Sequence, residues 1–577
     1  MTKLNRSGRT VTSQLRKLAK LRLQFHTTAN DEKVEAIKKL SSADIDQLSH
    51  LINYHDTLCF MRAYPDGPQL ARLVESELRA FGQRVLRFTQ RKDDAGAAQL
   101  MNSGLVNSTT VHPFGYDLTC LLLKRYPQSM ELDWSANNET LNDRLLDTLP
   151  LLVAWQENDA LGLDCDVQAA DWLKRADGNR EGPLLTFVRL LESSGLPHPV
   201  QEHLFENLQM EITWRLGRSQ ASRTLARWPA GRKFYQRTVL RVRTNDLRAE
   251  LVDTAAPLKL AGRPEGTKLV QVINEAMAVR NRELLPITSA NPDEVYLYRP
   301  GRGLMIALFG MHPDSRLPLE SNFGALLVRN GMPIGYGVAA TLFDRVEIAI
   351  NVFPEQRSGE SSYIFEQFFR LFYHHFGSRA FVVRKRQMGY GEDEALHSGA
   401  FWFYYKLGFR ALDHTVRSLA EKEHDKQRRR HGYRTPLSIM HKLSVSDVLF
   451  HADPAQMDNW RDMSTENLAY VVTDYFARKH RGDRQRGAGR AKDTVSKALD
   501  LTGLSEWSLR ELDGFKRLAP LLASIPKLES WNAQDKADLV RIIRAKPGPH
   551  ERSFVLLCAT HARLKLAIEK LAATRSL

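Results

Sequence analysis

The spacing of apolar residues divides the chain into three parts. From residue 1 to about 215, apolar residues recur at intervals of three and four, as in KVEAIKKLSSADIDQLSHLINY, which predicts helices. From about 290 to 355 the pattern becomes strand-like. Beyond about 415 a helical pattern returns in a more polar sequence. The order is therefore α, mixed α/β, α.

These changes predict an α+β multidomain protein with a central mixed α/β domain and mainly helical flanks. We expect a helical domain over 1–215, a basic connecting region over 216–289, the α/β domain over 290–415 and a helical region over 416–577. At 577 residues the chain is too long for one ordinary core, so several packing units are expected.

The central segment predicts an alternation of strands and helices. Two short strands are expected around RPGRG, and Asn330-Gly331 between apolar runs predicts a hairpin. A strand over 345–353 is followed by a helix that Gly377 ends. A strand over 380–386 then leads to one further helix, which carries Leu396, Ala400, Phe403 and Leu407 on one face and ends at Gly408.

The positive charge of the chain is concentrated locally. The formal net charge is +15, and segment 214–248 has ten basic residues and one acid, which gives +9. Smaller basic clusters lie at 426–434 and 478–492, the latter containing RQRGAGRAK, which predicts a flexible connection. Such segments are either solvated basic surface or linker, or a surface that binds nucleic acid or another polyanion.

Cysteine spacing and hydropathy favour a cytoplasmic protein. The four cysteines are far apart and form no CxxC pair, which argues against a zinc site and a disulfide framework. No apolar run approaches the length of a membrane-spanning helix. The Lys- and Arg-rich N-terminus is interpreted as an ordinary basic helix, with an organellar transit peptide as the alternative.

Two motifs in the central segment carry its chemistry. The first is GAFWFYYKLGF, in which Ala400, Tyr404, Gly408 and Phe409 are spaced by four, four and one. The second is NVFPEQRSGESS, a strand end, a Pro-marked turn and a polar loop at the start of a helix. Unpaired amides and the dipole at a helix N-terminus favour anions, and glycine permits close approach of the backbone.

Over about 290–415, these motifs and the order of elements resemble the GNAT superfamily of CoA-dependent N-acyltransferases. The resemblance implies acetyl-CoA or another acyl-CoA as cosubstrate, no metal, and direct attack of an amine on the thioester. Tyr404 would be the general acid that protonates the leaving thiolate, although it is also one more aromatic residue in an aromatic helix. His397 stands where the family usually has asparagine.

The resemblance also implies a pyrophosphate-binding loop, for which two registers are open. In the first, Gln356 begins the motif and Gly359 is its glycine; in the second, Arg357 begins it and Glu360 and Ser362 replace the glycines. An acid such as Glu360 would repel a pyrophosphate at the same amides. The predicted cofactor-binding residues are Val352, Gln356, Arg357, Ser358, Gly359 and Ser361.

Glu347, in the strand before the loop, is the candidate base that deprotonates the amine. Its alternation partners Arg345 and Ala349 share its less apolar face, so it is equally well interpreted as a solvent-facing acid. The acceptor amine, whether on a small molecule, a protein or tRNA, is not defined by the sequence. A second hypothesis is a catalytically degenerate scaffold with helical interaction modules that binds a polyanion through its basic segments.

Overall fold

The computed structural model describes residues 2–134, 139–161, 167–178, 180–229, 231–241, 246–357, 359–458 and 460–573. Its first four helices pack on one another and on the central sheet: α1 (Thr2–Leu21), α2 (Thr27–Ser41), α3 (Leu48–Ala63) and α4 (Pro68–Leu100). Tyr64, directly after α3, is 1% exposed and contacts the loop discussed below.

A small three-stranded sheet follows, where the sequence pattern had predicted only helices. Its strands β1 (Thr109–His112), β2 (Met130–Leu132) and β3 (Ile212–Arg215) are ordered β1-β3-β2 and are antiparallel. The helices around it are α5 (Tyr116–Leu123), α6 (Glu139–Thr148), α7 (Ala169–Asp177), α8 (Pro183–Ser193) and α9 (His198–Asn207). This unit has its own apolar core around the fully buried Trp214.

In the part of the chain that the structure describes, the central feature is a nine-stranded mixed sheet. After α10 (Leu247–Val252), it contains β4 (Leu258–Leu260), β5 (Ala290–Gly301), β6 (Leu304–Met311), β7 (Ser321–Arg329), β8 (Met332–Leu342) and β9 (Arg345–Val352). Helices α11 (Arg263–Ala278) and α12 (Leu285–Thr288) precede β5. Strands β4 to β9 form an antiparallel meander. The predicted hairpin at Asn330-Gly331 is confirmed, with both residues at positive φ.

The sheet continues through a parallel crossover. Helix α13 (Ser361–Phe376) ends at Gly377, at φ 73°, and leads to β10 (Ala380–Val383), which is parallel to β9. The predicted single helix after β10 is instead two short ones, α14 (Asp393–Ser398) and α15 (Ala400–Lys406), because Gly399 adopts φ 72° between them. Strand β11 (Arg410–Ala411) lies at the sheet edge.

The C-terminal part contributes a strand as well as helices. Strand β12 (Val448–His451), after α16 (His414–Arg429) and α17 (Leu437–Leu443), lies between β10 and β11. The remaining helices are α18 (Thr465–His480), α19 (Arg484–Ala498), α20 (Leu509–Leu522), α21 (Ala533–Ala545), α22 (Glu551–Thr560) and α23 (Ala562–Ala573). The prediction of a flexible RQRGAGRAK segment is wrong: it lies in α19, which Asp483 caps and in which buried Gly487 packs on Phe476.

The apolar cores explain this α+β architecture. One cluster extends from Val11 to Ala572 and joins the N-terminal helices, one face of the large sheet and the C-terminal helices. A second cluster, on the opposite face, packs α11 against the meander. The strands of the large sheet lie between residues 258 and 451, so the sheet extends on both sides beyond the α/β domain predicted over 290–415. Within the described ranges, no helix has both the length and the apolar content that crossing a bilayer requires.

Candidate functional site

Strands β9 and β10 are parallel neighbours that pair only along the first half of β9, because β10 ends at Val383. Their pairing covers Ala380 with Arg345, Phe381 with Val346 and Val382 with Glu347. Strand β9 continues to Val352 and remains paired with β8 to its end. Residues 348–352 of β9 therefore have a strand partner on one side only in the described part of the sheet, which opens a gap towards the end of β10.

A pocket of about 490 Å³ lies at this gap. Its walls come from the middle of β8, the end of β9, the start of α13, the chain after β10, and helices α14 and α15. Four of the sequence-predicted site residues line it together: Val352, Arg357, Ser361 and Tyr404. The fold thus brings Tyr404 to the loop that follows β9, as the expected site requires.

Tyr404 is set in the pocket wall by aromatic packing. Its ring lies 5.8 Å from that of Phe365 and 5.6 Å from that of Phe409, between centroids, and the residue is 4% exposed. Burial raises the pKa of the phenol. The hydroxyl is therefore protonated at neutral pH, the form that a proton donor requires.

The loop residues Gln356 and Gly359 lie behind the pocket wall. Gln356 is fully buried, and a Cβ on Gly359 would clash with Oη of Tyr64. The amide of Gly359 donates to the carbonyl of Gln356 at 2.9 Å, and the amide of Glu360 donates to Tyr64 Oη at 3.2 Å. These two amides therefore already have hydrogen-bond acceptors within the protein. Glycine is required at position 359 because Tyr64 leaves no space for a side chain. Ser358 lies outside the described residues.

Glu360 points into the protein, away from the pocket. It is fully buried, its carboxylate lies 2.7 Å from the guanidinium of Arg329, and Arg302 also pairs with it. The backbone amide of Arg241 donates to Oε1 at 2.8 Å. Burial alone would raise the pKa of Glu360, but the Arg302 hydrogen bond and the Arg329 charge outweigh burial and lower that pKa. The repulsion expected between Glu360 and a phosphate is therefore neutralised within the protein.

Glu347 lies in the paired half of β9 and does not belong to the pocket lining. Its Oε2 accepts hydrogen bonds from Arg384 at 2.7 Å and from Arg345 at 3.2 Å. The same arginines pair with Asp462, and Arg384 also pairs with Asp447. Glu347 thus belongs to an ion-pair network that joins β9, β10 and the chain before α18. Its role as a base remains a prediction.

The mouth of the pocket carries arginines that the sequence analysis missed. Arg282, just after α11, and Arg386, just after β10, line the pocket together with the predicted Arg357. Two glutamates on the rim neutralise part of this charge: Glu394 pairs with Arg357, and Glu392 lies 2.9 Å from Arg386. Nothing in the sequence marked Arg282, because it precedes β9 by more than sixty residues.

Part of the basic segment 214–248 forms ion pairs within the protein. Arg223 lies 2.8 Å from Asp56 and 3.3 Å from Glu355, and Arg241 lies 2.6 Å from Glu250. Arg227 likewise pairs with Glu75, and Arg215 with Glu131. Arg223 and Arg227 thus pair with acids of the N-terminal helices α3 and α4, and Arg223 also joins them to the loop after β9. Arg218, Arg232, Lys233 and Arg237 are exposed.

Comparisons of this chain with protein-family models, with curated proteins and with solved structures gave no match.

Proposed function

We propose that this protein is an acyl-CoA-dependent N-acyltransferase whose GNAT-like α/β domain binds the thioester in the gap between β9 and β10. The observation that carries the proposal is the pocket at this gap, where Tyr404 lies beside residues 348–352 of β9, which have no strand partner on the β10 side in the described part of the sheet. The pocket lining includes both Val352 and Tyr404, which two separate sequence motifs predicted as parts of one site.

The free side of β9 suits the pantetheine arm of CoA. That arm is an extended chain with two amides, and an exposed strand edge offers N–H and C=O groups to such a chain. Ala349 and Asn351, both in this half of β9, line the pocket, and the small side chain of Ala349 leaves room for the arm. The thioester carbon would then lie near Tyr404, whose hydroxyl protonates the departing thiolate after an amine attacks.

In this proposal, arginine side chains hold the phosphates of CoA, because the amides of Gly359 and Glu360 are occupied. Arg282, Arg357 and Arg386 surround the mouth. The rim pairs with Glu392 and Glu394 are exposed, and exposed pairs contribute only about 0 to 1 kcal/mol. A phosphate, which binds guanidinium in a bidentate manner, can replace these glutamates at little cost.

The first test is calorimetric binding of acetyl-CoA and CoA to the full-length protein. Ala349→Leu fills the gap and should abolish binding, whereas Ala340→Leu, on the same sheet face but outside the pocket lining, should leave it unchanged. No binding to the wild-type protein, or equal binding to both variants, would contradict the proposed site.

The catalytic part is tested by thiol release from acetyl-CoA with a panel of amines. Tyr404→Phe should retain CoA affinity and lower turnover about 100-fold, the usual contribution of a general acid. Tyr405→Phe is the matched control, because Tyr405 packs against His424 and Arg410 on the other side of α15. Unchanged turnover of Tyr404→Phe would remove Tyr404 from the mechanism.

A catalytically degenerate scaffold is the second candidate. It is favoured by the closed loop, in which Tyr64 fills the space beside Gly359. If CoA thioesters neither bind nor raise the thermal stability of the protein, this alternative replaces the first. Nucleic-acid binding through the exposed basic residues would then be expected to weaken steeply with salt.

A further inference from the structure

A second pocket, of about 320 Å³, lies between α11 and the chain on either side of the small sheet. Its lining comes from Arg125, just after α5, from residues between 220 and 229 and from one face of α11, and it shares no residue with the first pocket. Its volume is that of a site for a small molecule. The acyltransferase proposal makes no use of it.

The buried carboxylate of Glu275 lines this pocket. The residue is 3% exposed, and its oxygen Oε1 accepts hydrogen bonds from Tyr126 Oη at 2.8 Å and from Gln271 Nε2 at 2.9 Å. Arg125 Nε, which donates to Tyr126 Oη, also forms an ion pair with Oε1 at 3.0 Å. Ser219 in turn donates to Tyr126 Oη at 3.1 Å. Among the described residues, no donor is placed on Oε2. One oxygen is therefore fixed by the protein, and the other is available to a ligand.

The electrostatics of Glu275 favour a cationic ligand at Oε2. Burial raises the pKa of its carboxyl group, which means that the surroundings do not fully compensate the ionised form. An ammonium group supplies both a positive charge and the missing hydrogen-bond donor. Glu275 is thus suited to bind a primary amine.

Positive charge lies directly beside this carboxylate. Arg125 is 3.0 Å from Oε1 and 45% exposed, and Lys268 is exposed on the same pocket wall. Opposite charges in such proximity complement a molecule that carries an ammonium and a carboxylate on one carbon. The remaining wall combines apolar residues, among them Trp228 and Val272, with Gln220, Gln271 and Arg227, which pairs with Glu75. The backbone amide of Trp228 donates to the carbonyl of Gly331 at 2.7 Å.

We propose that this pocket binds a small apolar α-amino acid. Its ammonium binds Glu275 Oε2, its carboxylate binds Arg125 and Lys268, and its side chain packs against Trp228. The site uses groups from the N-terminal region and from α11, so it is formed only when these parts are assembled.

The proposal is tested by calorimetry and thermal unfolding of the full-length protein with three probes at millimolar concentration. L-Leucine should bind and raise the unfolding temperature. L-Leucinamide, which lacks the carboxylate, and N-acetyl-L-leucine, which lacks the ammonium, should each bind at least about tenfold more weakly, the loss of one charge-assisted hydrogen bond. Absence of leucine binding, or equal binding of leucine and either derivative, would overturn the proposal.

Variants locate the site. Glu275→Gln should weaken leucine binding at least about tenfold, whereas Glu265→Gln, on the same helix but outside the pocket, should not change it. If Glu275→Gln fails to fold, Lys268→Ala is the second test variant, because Lys268 is exposed and its replacement should leave the fold intact. It should weaken leucine binding but not leucinamide binding. Unchanged leucine affinity in this variant would also overturn the proposal.

Discussion

The loop between β9 and α13 takes part in two arginine–glutamate ion pairs, one inside the protein and one at the mouth of the pocket, and these two pairs differ in burial. On the inner side, Glu360 and Arg329 are both fully buried, with 2.7 Å between their charged groups. On the outer side, at the pocket mouth, Arg357 and Glu394 pair while 43% and 66% of their side chains are exposed. Burial makes the inner pair costly to break, whereas water and salt make the outer pair easily exchanged.

This difference assigns the two sides to different tasks. Glu355 and Glu360, together with Arg280, Arg223, Arg302 and Arg329, fix the loop to the N-terminal helices and to the sheet. In the proposed acyltransferase, the arginines of the mouth exchange these glutamates for the phosphates of CoA. On that proposal, the sequence motif that suggested a phosphate loop contains a structural half and a half that faces the ligand.

The largest effect should come from breaking an inner pair. Glu360→Gln leaves Arg329 and Arg302 without their counter-charge and should destabilise the protein by about 3 to 5 kcal/mol. The same substitution on the outer side, Glu394→Gln, should change stability by less than about 0.5 kcal/mol. Urea unfolding followed by circular dichroism measures both. Equal effects would mean that the two sides do not differ as described.

A somewhat smaller effect is expected from acid. Burial alone would raise the pKa of Glu355, but Arg280, at 2.7 Å, and Arg223 lower it to about 2. Because the folded-state pKa is below the unfolded value, its contribution is present above about pH 4.5 and is lost as the pH falls towards 2. The loss should reach about 3 kcal/mol.

The midpoint of urea unfolding, measured between pH 6 and pH 2 in steps of about one pH unit, tests this dependence of stability on pH. Glu355→Gln should flatten the pH dependence, since it removes the titrating group. Glu392→Gln, at an exposed rim pair, should keep the wild-type slope. A wild-type slope in Glu355→Gln would show that other carboxylates control the acid transition.

Substitution of an arginine at the pocket mouth should have the smallest effect on stability but should clearly weaken CoA binding. Arg386→Ala should change stability by less than about 0.5 kcal/mol and weaken CoA binding about tenfold, the loss of one charge-assisted contact. Lys385→Ala is the control, because Lys385 is adjacent but lies against Tyr390 outside the pocket lining. Equal CoA affinity in Arg386→Ala would exclude this arginine from phosphate binding.

Local sequence determined the elements of the central segment. Asn330-Gly331 gave the hairpin, and Gly377 ended α13, because positive φ at these positions is inexpensive only for such residues. Periodicity also predicted β9, α13 and the position of Tyr404 on a helix after β10. The small sheet was missed because its strands have only three or four residues and pair across about one hundred positions.

Only the tertiary structure decided what the loop residues contact. Gly359 suggested a backbone open to phosphate, but Tyr64, almost three hundred residues earlier, occupies that space. Glu360 suggested repulsion, yet Arg302 and Arg329 bind it inside the protein. The basic segment suggested a free surface, although acids from other elements pair with part of it. The sequence determines local conformation through φ, ψ and periodicity, whereas these contacts depend on which distant elements the shared core brings together.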